Sequence, residues 1–266
     1  MNIIKNKEAE DFQLLFTKTE LVNEGKIDSL NITPSKLSCS VYEALKLLGT
    51  PKMGENQSFE SIGYKESGKS RHQAIQEFLM LNPGVEWYDP EKYIKENDLP
   101  FEVKLNPEVI GLVKKYSGMT VQEARKLLGD YEVNLHHKTQ PLSFQLDGLI
   151  KYRGEFYIVE IKTIGKKDFN EIPLEKHQWQ GKAYSFLLKI PKVIWIYECR
   201  DDFKIKTAFQ LFREGDHEEV RKRLNTIILN KDTPTALERN FNKCKYCLYR
   251  NTCITLFNSK TDERPF

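Results

Sequence analysis

The sequence predicts an α/β fold, with a central mixed sheet flanked by helices, and three observations lead there. Helical patterns recur in the chain up to residue 129. The period then shortens to strand-like runs in "LSFQLDGLIKYRGEFYIVEIKT" and "PKVIWIYECRDDFKIKTAFQLF". Between these two strand pairs lies a helical run, "LEKHQWQGKAYSFLLKI". Strand pairs around an intervening helix, preceded by further helices, make one domain with a mixed sheet over residues 1–266.

Composition sets wide bounds. A chain of 266 residues can bury roughly 70–75% of its unfolded surface. Its 41 basic and 38 acidic residues leave a net charge of +3, so any nucleic-acid surface must be local. The start "MNIIKNKEAEDF" is charged from Lys5 onward, and apolar runs such as "VIWIY" are far too short to cross a bilayer. A soluble chain that avoids membranes, in the cytoplasm of a prokaryotic or phage-infected cell, is expected. In such a reducing compartment the five cysteines are better suited to metal ligation than to disulfides.

From the amino terminus, "NITPSKLSCSVYEALKLLG" reads as a short helix capped at Thr33, with Pro34 in its first turn, Cys39 within it and Gly49 at its end. Residues 50–70, rich in Gly, Ser, Lys and Glu, read as a loop, and "SRHQAIQEFLML" as a helix. Residues 105–129 give one or two more helices, of which "TVQEARKLLG" is the clearest. In the strand region "KYRGE" and "RDD" mark the turns of the two pairs.

The chemistry concentrates on the first pair. In "IVEIKT", Glu160 and Lys162 project from one side of a strand, about 6.6–6.8 Å apart, while Val159 and Ile161 face the other way. Asp147 lies thirteen residues before Glu160, a separation that a hairpin closes so that the carboxylates converge. Two carboxylates bind a hard cation such as Mg²⁺, and a neighbouring lysine can position the attacking water and stabilise charge on a phosphate. A solvated polar face on an edge strand is the alternative for an isolated Glu-x-Lys.

Asp147, Glu160-x-Lys162 and the helix that follows, bearing Gln180-x-x-x-Tyr184, resemble the PD-(D/E)xK nuclease superfamily and, within it, the RecB-like branch. At about 100° per residue, His177, Gln180 and Tyr184 share one helix face. The resemblance spans residues 31–253. It implies a restriction-endonuclease-like core and DNA exonuclease activity dependent on Mg²⁺ or Mn²⁺. It further implies metal ligation by His72, Asp147, Glu160 and Ile161, nucleophile positioning by Lys162, and support from Gln180 and Tyr184. The implied substrate is DNA that is single-stranded or has free ends, processed in recombination, repair, CRISPR adaptation or phage DNA metabolism. Helicase motifs are missing from the sequence, so the chain would act alone or with a separate helicase or recombination partner. Residues 161–200, with eight Lys or Arg against four acids, suit a phosphate backbone, and equally a solvated charged face.

Near the carboxyl terminus, "NKCKYCLYRNTC" places Cys244, Cys247 and Cys253 in a C-x2-C-x5-C array, and Cys39 is a possible fourth ligand. Four thiolates hold either tetrahedral zinc or an iron–sulfur cubane, and spacing alone does not choose. The array resembles that of AddB-type helicase-nuclease subunits and CRISPR-associated iron–sulfur nucleases. That resemblance implies a four-iron, four-sulfur cluster stapling residues 31–49 to residues 240–256. Cys199 reads as a small buried apolar residue.

One stretch, "GYKESGKSRHQAIQEFL", carries two readings. Gly63, Gly68, Lys69 and Ser70 match a nucleotide-binding P-loop, while Gly68 followed by His72 suits the nuclease's histidine ligand. The preceding "GENQSFESI" is polar where a P-loop needs a buried strand, which favours the nuclease. A P-loop ATPase using Gly63 to Ser70, and a catalytically inactive DNA-binding module of the same fold, are the competing functions.

Overall fold

The β-branched and aromatic runs that end at Ile164 and Cys199 become neighbouring parallel strands at the centre of the fold. The computed structural model describes residues 21–22, 30–53, 56–57, 59–244 and 247–258; the charged start read above lies outside them. The amino-terminal part comprises β1 (Leu21–Val22), a 3₁₀ turn (Pro34–Lys36), α1 (Ser40–Leu47), β2 (Asn56–Gln57), α2 (Phe59–Leu81), β3 (Glu86–Trp87), α3 (Pro90–Glu96) and β4 (Phe101–Lys104). Next come α4 (Pro107–Lys115), α5 (Val121–Leu128), β5 (Val133–His137), β6 (Ser143–Leu146), β7 (Gly148–Tyr152) and β8 (Glu155–Ile164). The remainder is α6 (Lys166–Phe169), α7 (Glu175–Leu188), β9 (Lys192–Cys199), β10 (Ile205–Leu211), α8 (Glu214–Leu229), a 3₁₀ turn (Pro234–Ala236), α9 (Phe241–Cys244) and α10 (Arg250–Asn258).

The main sheet has five strands in the order β10-β9-β8-β7-β3. It is mixed, because β8 and β9 are parallel and the other neighbours antiparallel. The parallel step is the one that α7 crosses, as a parallel connection requires. A second, antiparallel sheet pairs β4, β5 and β6. Alternation sorts the central strands between two apolar layers. Ile158, Ile164, Val193, Trp195 and Tyr197 join the large core that includes Ala183 and Leu187 of α7 and Val220 and Leu224 of α8. Val159, Ile161, Ile194 and Ile196 join Ile75 of α2 on the opposite face. A third cluster lies apart and unites Val41, Ala44 and Leu45 of α1 with Leu237, Tyr249, Cys253 and Phe257.

Several elements differ from the sequence expectation. The helix expected from Thr33 to Gly49 divides into the 3₁₀ turn and α1, with Cys39 as the residue preceding α1 and Thr33 making no side-chain cap. Instead the Thr33 main-chain N–H and hydroxyl both donate to Glu43, each at 3.0 Å. The loop expected over residues 50–70 is helical from Phe59, which removes the P-loop: Gly63 to Ser70 lie inside α2, with their backbone committed to the helix rather than free to wrap a phosphate. The first strand-like run breaks at Asp147 into β6 and β7, which belong to different sheets. The short strands β3, β4 and β5 lack a run long enough to announce them.

Glu43 is a buried acid whose carboxyl is pushed up to about 7, chiefly by burial, against the pull of Lys46 and the Thr33 hydrogen bonds. A folded value above the unfolded one means that the stability associated with the neutral acid is complete below about pH 4.5 and is lost as pH rises through 7. Glu43→Gln should remove that slope. In urea unfolding across pH 4.5–8, the variant is expected to gain on the wild type by up to roughly 3 kcal/mol at the upper end. A pH-independent difference between the two proteins would contradict the assignment.

Candidate active site

The β7–β8 ladder sets the register of the site. Gly148 pairs with Val159, so Asp147, one step outside β7, stands opposite Glu160. The two carboxylates converge as expected, and an Asp147 carboxylate oxygen accepts the Ile161 N–H at 2.7 Å. Glu160 and Lys162 share the sheet face turned toward α7, and Lys162 Nζ donates to Glu160 Oε2 at 2.7 Å. Gln180 Nε2 reaches the same oxygen at 2.7 Å and lies 3.1 Å from the Tyr184 hydroxyl. Tyr184 in turn donates to the Gln145 carbonyl at 2.6 Å, tying α7 to β6. His177 joins a stack on Trp195 and Tyr197, at 5.8 and 5.7 Å between ring centroids, on the same face of α7.

α2 delivers the histidine from the other side. His72 Nδ1 lies 4.0 Å from Asp147 Oδ1 and 3.5 Å from Glu132 Oε1. One turn on, Gln76, itself buried, donates to the Asp147 main-chain carbonyl at 2.6 Å and locks the helix to the strand break. Ligand atoms of His72, Glu132 and Asp147 all fall within 4.8 Å of one another, a spacing compatible with one shared cation. The structure thus brings together His72, Asp147, Glu160, Lys162, Gln180 and Tyr184, while the Ile161 side chain is buried beneath α2 and its N–H is taken by Asp147.

Glu132 and Gln76 escaped the sequence reading. Glu132 precedes β5, fifteen residues before Asp147, and belongs to no spacing motif. It also accepts from the Gln145 amide of β6. Gln76 had a faint signal, its position four residues after His72 on one helix face.

The electrostatics favour a cation. Burial pushes the Glu160 carboxyl up to about 8, and nearby Asp147 adds to the shift while Lys162 opposes it. Burial likewise raises Asp147, with Lys162 and His72 opposing. Burial alone would lower Lys162, yet Glu160 and Asp147 hold it above its ordinary value, so it is an ammonium at neutral pH. Among the described residues, Glu160 Oε1 is buried without a hydrogen-bond partner. An orphaned carboxylate oxygen is expensive unless something positive meets it, so the donor set fits a divalent cation.

The cysteines occupy a different place. Cys39, Cys244, Cys247 and Cys253 line one cavity of about 790 Å³ together with Trp179 and Lys182 of α7. Burial raises the Cys253 thiol to about 11 and raises Cys244 and Cys247 as well. Cys199 is fully buried in the main core, as expected.

No protein-family model and no curated protein matches this chain. Among solved structures it is similar to SSO0001, at 17% identity over 86% of this chain and 87% of that one, with a TM-score of 0.46. It is also similar to LHK-Exo in complex with dAMP, at 11% identity over 77% and 89% of the two chains and a TM-score of 0.42; LHK-Exo is an alkaline exonuclease from Laribacter hongkongensis. A phage-related exonuclease from Haemophilus somnus 129PT matches at 10% identity over 79% and 96%, with a TM-score of 0.34.

If Glu132 shares a cation with His72 and Asp147, Glu132→Gln should weaken Mn²⁺ binding roughly 10–100-fold in a calorimetric titration, whether it acts as a ligand or orients His72. Unchanged affinity would remove Glu132 from the site.

Proposed function

We propose that this chain is a divalent-metal-dependent deoxyribonuclease that works as an exonuclease on DNA with single-stranded or free ends. The observation that carries the proposal is the buried Glu160, one oxygen orphaned and the other held by Lys162 and Gln180, facing Asp147 across the β7–β8 ladder. His72, Glu132, Asp147, Glu160 and the Ile161 carbonyl are the groups that would hold Mg²⁺ or Mn²⁺. Such an ion, when bound, polarises the scissile phosphate and activates the attacking water.

The chain's own contribution follows from the hydrogen bonds. Lys162, whose ammonium pKa is held above its ordinary value by Glu160 and Asp147, orients the nucleophile and stabilises negative charge gathering on the phosphate. Gln180 and Tyr184 hold Glu160 in one rotamer and anchor α7 on β6. Gln76 fixes the main chain at Asp147, so both carboxylates are placed before substrate arrives.

Glu160→Gln and Lys162→Ala should each lower Mg²⁺- or Mn²⁺-dependent DNA cleavage by about 10²-fold or more while circular dichroism stays native. Near-wild-type cleavage by either variant would sink this reading.

We propose further that Cys39, Cys244, Cys247 and Cys253 hold a four-iron, four-sulfur cluster, residues 31–49 and 240–256 forming its subdomain; residues 245–246 of that segment lie outside the described part. The shared cavity supports this. A zinc site, with bonds of about 2.3 Å, would bring its sulfurs to about 3.8 Å from one another. A cubane interposes iron and sulfide between its thiolates and so holds them farther apart. Protein purified without oxygen should carry about four iron and four sulfide per chain, and Cys247→Ser should lose both together with thermal stability. Stoichiometric zinc without iron would refute the cluster.

A further inference from the structure

We infer that Tyr64 and Phe203 form a stacking platform for the unpaired bases of a single DNA strand beside the active site. The inference rests on the nuclease reading for its choice of ligand. Tyr64 and Arg71 lie seven residues apart on α2, two turns along one face. Arg200 and Phe203 come from the turn between β9 and β10. The two elements exchange cations: Arg200 sits over the Tyr64 ring at 4.4 Å, and Arg71 over the Phe203 ring at 4.0 Å. Each ring is thereby held from one side, yet Tyr64 remains 53% and Phe203 64% exposed.

Phe203 carries a backbone constraint beyond its contact with Arg71. Its φ of +59° lies in the left-handed region, where a bulky side chain is strained and Gly or Asn is the economical choice. The chain thus bears a backbone cost to hold an apolar ring in water. The cation above it is rigid as well: Arg71 is 17% exposed and donates to Glu198 at 2.7 Å, and Glu198 also accepts from the Thr163 hydroxyl of β8. Thr163, three residues beyond Glu160 on β8, faces α2 with Val159 and Ile161, and Arg71 directly precedes His72 on that helix, so the platform lies on the α2 side of the carboxylate site.

A rigid, exposed ring backed by a guanidinium matches the way single strands are bound, with bases stacking on aromatic faces and cations meeting the backbone. In a duplex each base face is already covered by its neighbour, so the platform selects unpaired bases. The charges agree with a polyanion. Lys166 and Lys167 follow β8 and are exposed, while the nearby acids are engaged: Glu198 with Arg71, Asp202 with Lys204 at 3.1 Å, and Asp201 with the Lys166 main-chain N–H at 2.7 Å.

The test uses full-length protein in EDTA and fluorescence anisotropy with two labelled twelve-mers, oligo-dT and an abasic strand of the same length and charge. Wild type should bind oligo-dT more tightly than the abasic strand. Tyr64→Ala and Phe203→Ala should each weaken oligo-dT binding about tenfold while leaving the abasic strand unaffected, and Tyr64→Phe should bind like wild type. Equal wild-type affinity for the two strands, or unchanged oligo-dT binding by both alanine variants, overturns the platform. DNA cleavage with Mn²⁺, measured in parallel on wild type, separates the two ideas. Cleavage without base-dependent binding defeats the platform alone; base-dependent binding lost in the variants, without wild-type cleavage, upholds the platform and defeats the nuclease.

Discussion

The buried carboxylate of Glu160 is the constraint to which the rest of the molecule answers. An acid with no exposed surface, on a strand whose alternate residues are packed beneath α2, is costly to ionise, and its raised pKa expresses that cost. The fold meets one oxygen with Lys162 and Gln180 and leaves the other open, and it sets a second carboxylate directly opposite. Replacing this arrangement with apolar residues of similar volume would tend to stabilise the sheet. The acid is therefore retained at the expense of stability, in keeping with the metal site proposed above.

α7 transmits that constraint to the cysteine cavity. Its inward face carries Gln180 and Tyr184, and Gly181 lets it approach the sheet so closely that a Cβ there would meet Trp195 and Phe212 at 2.8 Å. On its other side, Trp179 lies between two cations, Lys182 at 5.6 Å and Arg223 of α8 at 4.0 Å. Arg223 also donates to the Leu37 carbonyl, two residues before Cys39, and at 2.5 Å to Glu238, six residues before Cys244. One guanidinium thus pins both arms of the cysteine region against the helix that orients Glu160. Whatever fixes the cavity also fixes the position of α7.

The legible parts of the sequence were those in which chemistry and periodicity coincide on a single element. Glu160 and Lys162 could be placed because a strand alternates, and Gln180 and Tyr184 because a helix turns every 3.6 residues. The hairpin that closes Asp147 onto Glu160 was readable from their thirteen-residue separation, yet the break in the strand at Asp147 was not, since "LSFQLDGLI" keeps its apolar character across the change of sheet. Glu132 was invisible because its partners come from α2 and from the junction of β6 and β7, so its role exists only after tertiary pairing. The 3₁₀ turn before Cys39 was hidden for the same reason: Thr33 offered a good cap, but the distant Glu43 captured its hydroxyl.

The double reading of residues 63–72 has a physical origin in α2 itself. Gly63, Gly68 and Ser70 are poor helix formers, so local propensity favours a loop and permits a P-loop pattern. The helix nevertheless continues through them because its later turns are captured: Ile75 packs on Val159 and Ile161, while Gln76 and His72 face Asp147. Propagation from that buried half is cheaper than nucleation, which lets weak residues join the helix. Its earlier turns are then held by contacts with the end of β9 and the turn after it, Arg71 to Glu198 and Phe203, and Arg200 to Tyr64. The two halves of α2 therefore depend on different partners: the carboxylate centre retains the second half, and the first keeps its place to the extent that the β9–β10 turn keeps its own.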